Sequence, residues 1–296
     1  MYDVVIIGAG MAGLTAGIYA ARGNLKVKIL EDKSFGGQIV NSLNVENYPG
    51  FLNIKGFDLA KYFYDQAISL GCEISYEKVI GIDNHKVITR MGDYEARSII
   101  IASGLTVRKL GLENEDNLVG KGISYCATCD GNFYRNKNVL VVGGGNTALE
   151  DALFLSNIAK KVYIMIRRDE FRGDKIFVDK VVNSSNIEII KNANVKKLIG
   201  NDCLKGVTYQ QGNEIFNLDI DGLFVAIGRI PDSDYLEGVV SLDDDGYVIS
   251  DNCETNKDYI FVAGDIRTKN LRQVITAASD GAIAATKASQ YLLKNK

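Results

Sequence analysis

The chain has 296 residues, 46% hydrophobic and 24% charged, enough for a buried core and for one or two domains of usual size. Its formal charge of -3 comes from mixed signs without a run of five like charges, so no nucleic-acid partner is expected. There is no apolar stretch of membrane-spanning length and no basic leader before the first strand, and the five cysteines are an odd number dispersed along the chain. That pattern predicts a cytoplasmic protein in a reducing compartment, neither membrane-bound nor secreted, in which any disulfide would be catalytic.

Taken in order, Tyr2 to Ile7 reads as a buried strand, Ala12 to Arg22 as a helix and Lys26 to Leu30 as a second strand ending at Glu31. The turn between the first strand and the helix is Gly8-Ala9-Gly10-Met11-Ala12-Gly13. Gly8 makes the turn, Gly10 lets backbone approach a pyrophosphate, Gly13 lets the helix close on the strand, and Glu31 offers acceptors to a ribose. Strand, turn, helix, strand and terminal acid together predict a dinucleotide-binding fold.

The pattern recurs at a constant offset of 135 residues: the strand Asn138 to Val142, the turn Gly143-Gly144-Gly145-Asn146-Thr147-Ala148, a helix from Thr147 to Ile158, and the strand Lys161 to Met165. Gly8 maps to Gly143, Gly10 to Gly145, Gly13 to Ala148 and Glu31 to Ile166. A carboxylate at this strand end would repel a 2′-phosphate, and here it is replaced by an apolar side chain followed by Arg167 and Arg168, with Arg172 one turn on. Forked guanidinium donors suit phosphate, so this second fold is predicted to take NADPH and the first the other dinucleotide.

After Arg229-Ile230-Pro231 the chain reaches Tyr259 to Asp265, a strand with no nucleotide fold of its own to complete, which is expected to return to the first sheet. The expected class is therefore α/β, with two Rossmann-like dinucleotide-binding domains, residues 111–237 being inserted in a discontinuous domain made of 1–110 and 238–296.

Between the two motifs stands Ser124-Tyr125-Cys126-Ala127-Thr128-Cys129-Asp130-Gly131. A CxxC is a redox dithiol, half of a zinc site, or chance. Zinc needs four ligands, and with one histidine, His85, and no second CxxC, no metal is expected. Thiol-disulfide exchange needs an attacking thiolate, a second thiol and a proton carrier, which makes Cys126, Cys129 and Asp130 the candidate catalytic residues. Asp130 also reads as a plain turn or cap residue beside Gly131.

The segment Cys126 to Phe177 resembles the central domain of the low-molecular-weight thioredoxin reductases. The flanks agree: Gly8 to Gly13, Gly36-Gly37-Gln38, Glu46-Asn47-Tyr48-Pro49-Gly50, Ala102-Ser103-Gly104, Gly264-Asp265 and Arg272-Gln273-Val274 fall where that family contacts FAD. The resemblance implies a homodimeric cytosolic flavoprotein passing electrons from NADPH through FAD and the cysteine pair to thioredoxin or a thioredoxin-like protein. It also implies hydrogen bonds from Glu31, Gln38, Asn47, Asp265 and Gln273 to FAD, with Cys129 facing the flavin and Cys126 attacking the partner. Two positions depart from the family: Ile166 replaces the usual histidine before the arginine pair, and Asn132-Phe133 replaces two adjacent aromatics. A ferredoxin-dependent relative and an FAD-dependent sulfhydryl oxidase on the same scaffold are the alternatives, neither of which needs the arginine cluster. Because the nicotinamide site and the cysteines share the inserted segment, that segment is expected to rotate, with glycines such as Gly111 and Gly238 absorbing the change.

Overall fold

The computed structural model describes residues 1–42 and 44–295; Lys296, the end of the predicted 238–296 segment, lies outside them. The chain divides into two compact units, one made of Met1–Thr106 and Ile230–Lys296, the other of Val107–Arg229.

In chain order the first unit opens with strand β1 (Tyr2–Ile7), helix α1 (Met11–Arg22), strand β2 (Val27–Glu31), helix α2 (Gly56–Ser69) and strands β3 (Glu73–Tyr76), β4 (Val79–Asp83), β5 (Lys86–Thr89) and β6 (Asp93–Ile101). Strand β7 (Leu105–Val107) then leads into the second unit. There follow the short helix α3 (Glu115–Leu118), strand β8 (Ile123–Ser124), the one-turn helix α4 (Ala127–Asp130), strand β9 (Asn138–Val142), helix α5 (Asn146–Ser156), strand β10 (Lys161–Met165) and helix α6 (Lys175–Val182). Strands β11 (Ile187–Ile190), β12 (Ala193–Ile199), β13 (Gly206–Gln211), β14 (Glu214–Asp219) and β15 (Gly222–Val225) complete that unit. Strand β16 (Arg229–Pro231) leads back to strand β17 (Ile260–Val262) and the long helix α7 (Val274–Lys294) of the first unit. β7 and β16, the two passages of chain between the units, form a two-stranded ribbon.

In the first unit β3, β2, β1, β6 and β17 run parallel, while β4 and β5 extend the amino-terminal half of β6 as an antiparallel ribbon. The register Ile260↔Ile99 and Val262↔Ile101 places the returning strand in the first sheet, as its sequence implied. Val4, Val5 and Ile6 are all fully buried, so consecutive residues on opposite faces are both covered, the condition that makes parallel strands continuous apolar runs. One face is covered by α1 and α7, whose Leu14, Ala16, Ala284 and Ala288 share a core cluster with Val4 and Ile6. Small alanines let the two helices lie close together, and each large aliphatic side chain so buried contributes about 1.5 to 3 kcal/mol.

The second unit repeats the plan with a parallel sheet in the order β11-β10-β9-β15-β8, plus an antiparallel β12-β13-β14 sheet. The offset read from sequence is therefore structural: β1 and β9, then β2 and β10, occupy matching places.

Candidate functional site

In the first unit the turn after β1 is set by close approach. Gly8 has φ +105°, and a Cβ there would stand 2.4 Å from the Ala102 carbonyl oxygen. At Gly13 a Cβ would stand 1.9 Å from the Gly8 carbonyl oxygen, so only glycine lets α1 begin this near the turn. A Cβ on Gly10 would meet nothing nearer than the Gly37 Cα at 3.9 Å, which leaves backbone exposed between two glycine turns. The second of these is pinned to the first by the Gly36 amide donating to the Ala9 carbonyl at 2.7 Å. Glu31, at the end of β2, accepts from the Ala9 amide at 2.7 Å and from the Lys33 amide at 3.0 Å.

A cavity of about 330 Å³ opens beside them, lined among others by Gly8, Glu31, Asp32, Ser103 and Asp232. It sits at the carboxyl ends of β1 and β2, the usual ligand crevice of an open parallel sheet. Burial holds the Asp232 carboxyl above its ordinary range, Lys78 opposing the shift and Asp32 and Asp234 adding to it. Such an acidic lining accepts hydroxyl donors and rejects an extra phosphate. The cradle and its acceptors fit the adenosine diphosphate half of a dinucleotide such as FAD.

The remaining flavin candidates also belong to this unit. Asn47 donates from its side-chain amide to the Gln273 side-chain carbonyl at 3.0 Å. Gln273 caps α7, immediately before Val274, in a reciprocal pair with Thr276. The Arg272 guanidinium donates to the Asp265 carbonyl at 3.2 Å, and the Gly264 amide donates to the buried Asp280 carboxylate at 3.1 Å. Gln38 donates to the Leu105 carbonyl at 3.3 Å, Ser103 to the Asp232 carbonyl at 3.1 Å, and the Gly104 carbonyl accepts from the Asp232 amide at 3.3 Å.

In the second unit Gly143 has φ +147° and a Cβ would stand 2.1 Å from the Ala226 carbonyl oxygen, the counterpart of Gly8 and Ala102. Ala148 stands where the first turn has Gly13, and Gly145 has open space where a Cβ would be. Ile166 is buried and packs on Gly144, so no carboxylate is presented at this strand end. The Arg172 amide donates to the Gly144 carbonyl at 2.7 Å, folding the segment after β10 back over the turn. Asn146 fixes the far end of that segment, donating to Asp174 at 2.9 Å and accepting from its amide at 2.6 Å. Arg167, Arg168 and Arg172 are all exposed, as is Thr147 in the first turn of α5. The donors fit a phosphate-bearing pyridine nucleotide.

The same unit carries the cysteines, bonded as a disulfide with Cα atoms 5.3 Å apart. Cys126 is the amino-terminal cap of α4; its sulfur accepts from the Cys129 amide at 3.2 Å and lies 3.4 Å from the Thr128 hydroxyl. Cys129 is exposed and Asp130 half-buried. Ser124, which the motif reading passed over, is buried and donates to Asp130 Oδ2 at 2.7 Å. No residue pattern announces that bond. Asp151 on α5 was also missed: burial, reinforced by Glu150 and opposed by Arg229, pushes its carboxyl up to about 7. Cys72 and Cys253 are buried thiols and Cys203 is exposed. Among the described residues no group of three or more His, Cys, Asp or Glu could hold a metal, and no helix is long and apolar enough to cross a membrane.

Residues 2–281 match the pyridine nucleotide-disulphide oxidoreductase family. The thioredoxin reductase of Peptoclostridium acidaminophilum is 41% identical over 100% of this chain and 98% of its own length, and that of Listeria monocytogenes 40% identical over 99% and 94%. The crystal structure of Lactococcus lactis thioredoxin reductase superposes with a TM-score of 0.91 at 37% identity, covering 99% of this chain and 100% of that one. With its two glycine turns, its arginine-flanked strand end and its CxxC disulfide, the chain belongs to the pyridine nucleotide-disulphide oxidoreductase family, among the low-molecular-weight thioredoxin reductases.

Proposed function

We propose that the chain is an NADPH-dependent thioredoxin-disulfide reductase, with FAD held by the first unit and NADPH by the second. The observation that carries this reading is the Cys126–Cys129 disulfide within the unit that bears the arginine-flanked turn. FAD, when bound, would supply the ring through which an electron pair passes from NADPH to that disulfide.

The chain's own residues perform the exchange. Two electrons and protons open the Cys126–Cys129 bond. The Cys126 thiolate then attacks a thioredoxin disulfide, forming one sulfur-sulfur bond as another breaks. Cys129 attacks Cys126 in turn, restores the internal disulfide and releases thioredoxin as a dithiol. Asp130, next in the chain after Cys129, carries protons to and from the departing sulfurs. Glu31, Gln38, Asn47, Asp265 and Gln273 bond FAD, and Arg167, Arg168 and Arg172 bond the 2′-phosphate of NADPH.

Because the nicotinamide site and the cysteines share residues 107–229, the second unit turns between two states during turnover. Gly111 and Gly238, each at φ +75° with open space at the Cβ position, lie inside the second and first units respectively, so the backbone change falls on the two crossings at 106–107 and 229–230. The protein works as a cytoplasmic homodimer, which equilibrium sedimentation checks.

Anaerobic addition of NADPH to the purified yellow protein tests the assignment of the electron source. Bleaching at near-stoichiometric NADPH, followed by recovery of colour on adding oxidised thioredoxin, is expected. Bleaching by reduced ferredoxin but not by NADPH overturns it.

A further inference from the structure

We infer that Ser124 is a positioning residue for disulfide exchange, holding the Asp130 carboxylate and the Cys126 backbone in one frame. This rests on reading Cys126 and Cys129 as the redox pair and Asp130 as their proton carrier.

Ser124 ends β8, where pairing of β8 with β15 in the register Ser124↔Phe224 fixes its backbone to the parallel sheet. Its residue is 3% exposed, so its hydroxyl must find its partners within the protein. The hydroxyl oxygen accepts from the Cys126 amide at 3.0 Å. Its one proton has two acceptors, Asp130 Oδ2 at 2.7 Å and the Cys126 carbonyl at 3.2 Å. The shorter bond goes to the group that can be ionised, and charge-assisted bonds of this kind are about twice as strong as neutral ones. A single side chain anchored in a strand therefore grips both ends of the CxxC turn.

Bonds within the turn close the frame. The Asp130 amide donates to the Cys126 carbonyl at 3.2 Å, and the Cys129 amide donates to the Cys126 sulfur at 3.2 Å. The internal disulfide opens and closes once per turnover, and while it is open the sulfur-sulfur bond no longer restrains the turn. Ser124 does not depend on that bond. It keeps the carboxyl group in place through both redox states, so that each departing sulfur meets its proton carrier in the same position. Removing the hydroxyl leaves the Cys126 amide without this acceptor and lets the Asp130 side chain sample other rotamers. The loss then appears in the rate of exchange, not in recognition of thioredoxin or in flavin reduction.

The test uses full-length, FAD-loaded protein with Ser124→Ala, Asp130→Asn and both together. Steady-state thioredoxin reduction, flavin reduction by NADPH in single turnover, and thermal melting are measured for each. Ser124→Ala should lower kcat about tenfold with KM within about twofold of the parent, and leave flavin reduction unchanged, an effect the size of one lost hydrogen bond to a charged group. In the Asp130→Asn background most of that loss should vanish, leaving only the part that acts through the Cys126 amide. Losses that multiply, or a full kcat in Ser124→Ala, overturn the inference. A normal kcat in Asp130→Asn alone overturns instead the reading of Asp130 as proton carrier, and so separates the two. Ser124→Thr keeps the hydroxyl and should hold kcat within about threefold of the parent. This comparison serves if the alanine protein is unstable, and a threonine protein as slow as Asp130→Asn overturns the inference as well.

Discussion

Asn47 and Gln273 are 226 residues apart in sequence, yet the side-chain amide of one donates to the side-chain carbonyl of the other at 3.0 Å. The bond ties the loop before α2 to the cap of α7. Both ends are flavin candidates, so Asn47→Ala or Gln273→Ala should weaken FAD retention by roughly 1 kcal/mol, about fivefold in dissociation constant. Flavin fluorescence on dilution measures this, and unaltered retention in both variants removes the pair from the site.

Gly10 and Gly13 should fail differently when enlarged. Gly10→Val sets its Cβ in ordinary contact with the Gly37 Cα at 3.9 Å, so the protein should fold and melt near the parent temperature but purify without colour. Gly13→Val would drive a Cβ into the Gly8 carbonyl oxygen at 1.9 Å, so it should express poorly whether or not flavin is supplied. The absorbance ratio of flavin to protein, together with a thermal melt, distinguishes the two outcomes. A yellow Gly10→Val protein contradicts the placement of the pyrophosphate.

Coenzyme preference should depend on the arginines after β10. Each charge-assisted contact to a 2′-phosphate is worth about 1.5 to 3 kcal/mol, so replacing Arg167 and Arg168 together by alanine should remove most of the preference for NADPH over NADH. Stopped-flow flavin reduction with both coenzymes gives the ratio. Equal efficiency in the parent protein refutes the reading of Ile166 and its arginines.

Replacing Cys126 or Cys129 by serine should abolish thioredoxin reduction while flavin content and flavin reduction by NADPH persist, because the dithiol enters only after hydride transfer. Residual turnover near the parent rate would assign the exchange to another thiol. Cys203, the exposed one, would be examined first.

Asp151 gives a pH dependence of stability with a definite sign. Burial raises its carboxyl from the usual 3.8 to about 7, with Glu150 adding and Arg229 opposing. The folded state therefore keeps a proton that the unfolded chain gives up. The stability linked to that proton is fully present below about 3.8 and lost as pH rises to about 7. Asp151→Asn, which cannot ionise, should match the parent near pH 4 and melt higher above pH 7, by an amount on the order of a few kcal/mol. Melting curves that run parallel across this range contradict a carboxyl that keeps its proton in the folded state.

The parts of this protein legible in its sequence are those whose geometry is fixed within a few residues. Gly8 and Gly143 mark turns because only a residue without a Cβ fits against the Ala102 and Ala226 carbonyls. The acid at Glu31 and the apolar Ile166 set opposite electrostatics at two strand ends in matching places, and the CxxC spacing fits one turn of helix with its sulfurs bonded. The returning strand at Ile260–Val262 was legible because it had no other sheet to join. The tertiary structure alone decided the bonds of Ser124 with Asp130 and of Asn47 with Gln273, and the partial burial that raises the Asp151 carboxyl. Asn47 and Gln273 meet only because segments 226 residues apart pack together, while Ser124 and Asp130, six residues apart, meet only through the turn that α4 makes after β8. The hydroxyl, amide and carboxyl groups involved are also common on protein surfaces, so their residue types announce a role only once packing has withdrawn them from water.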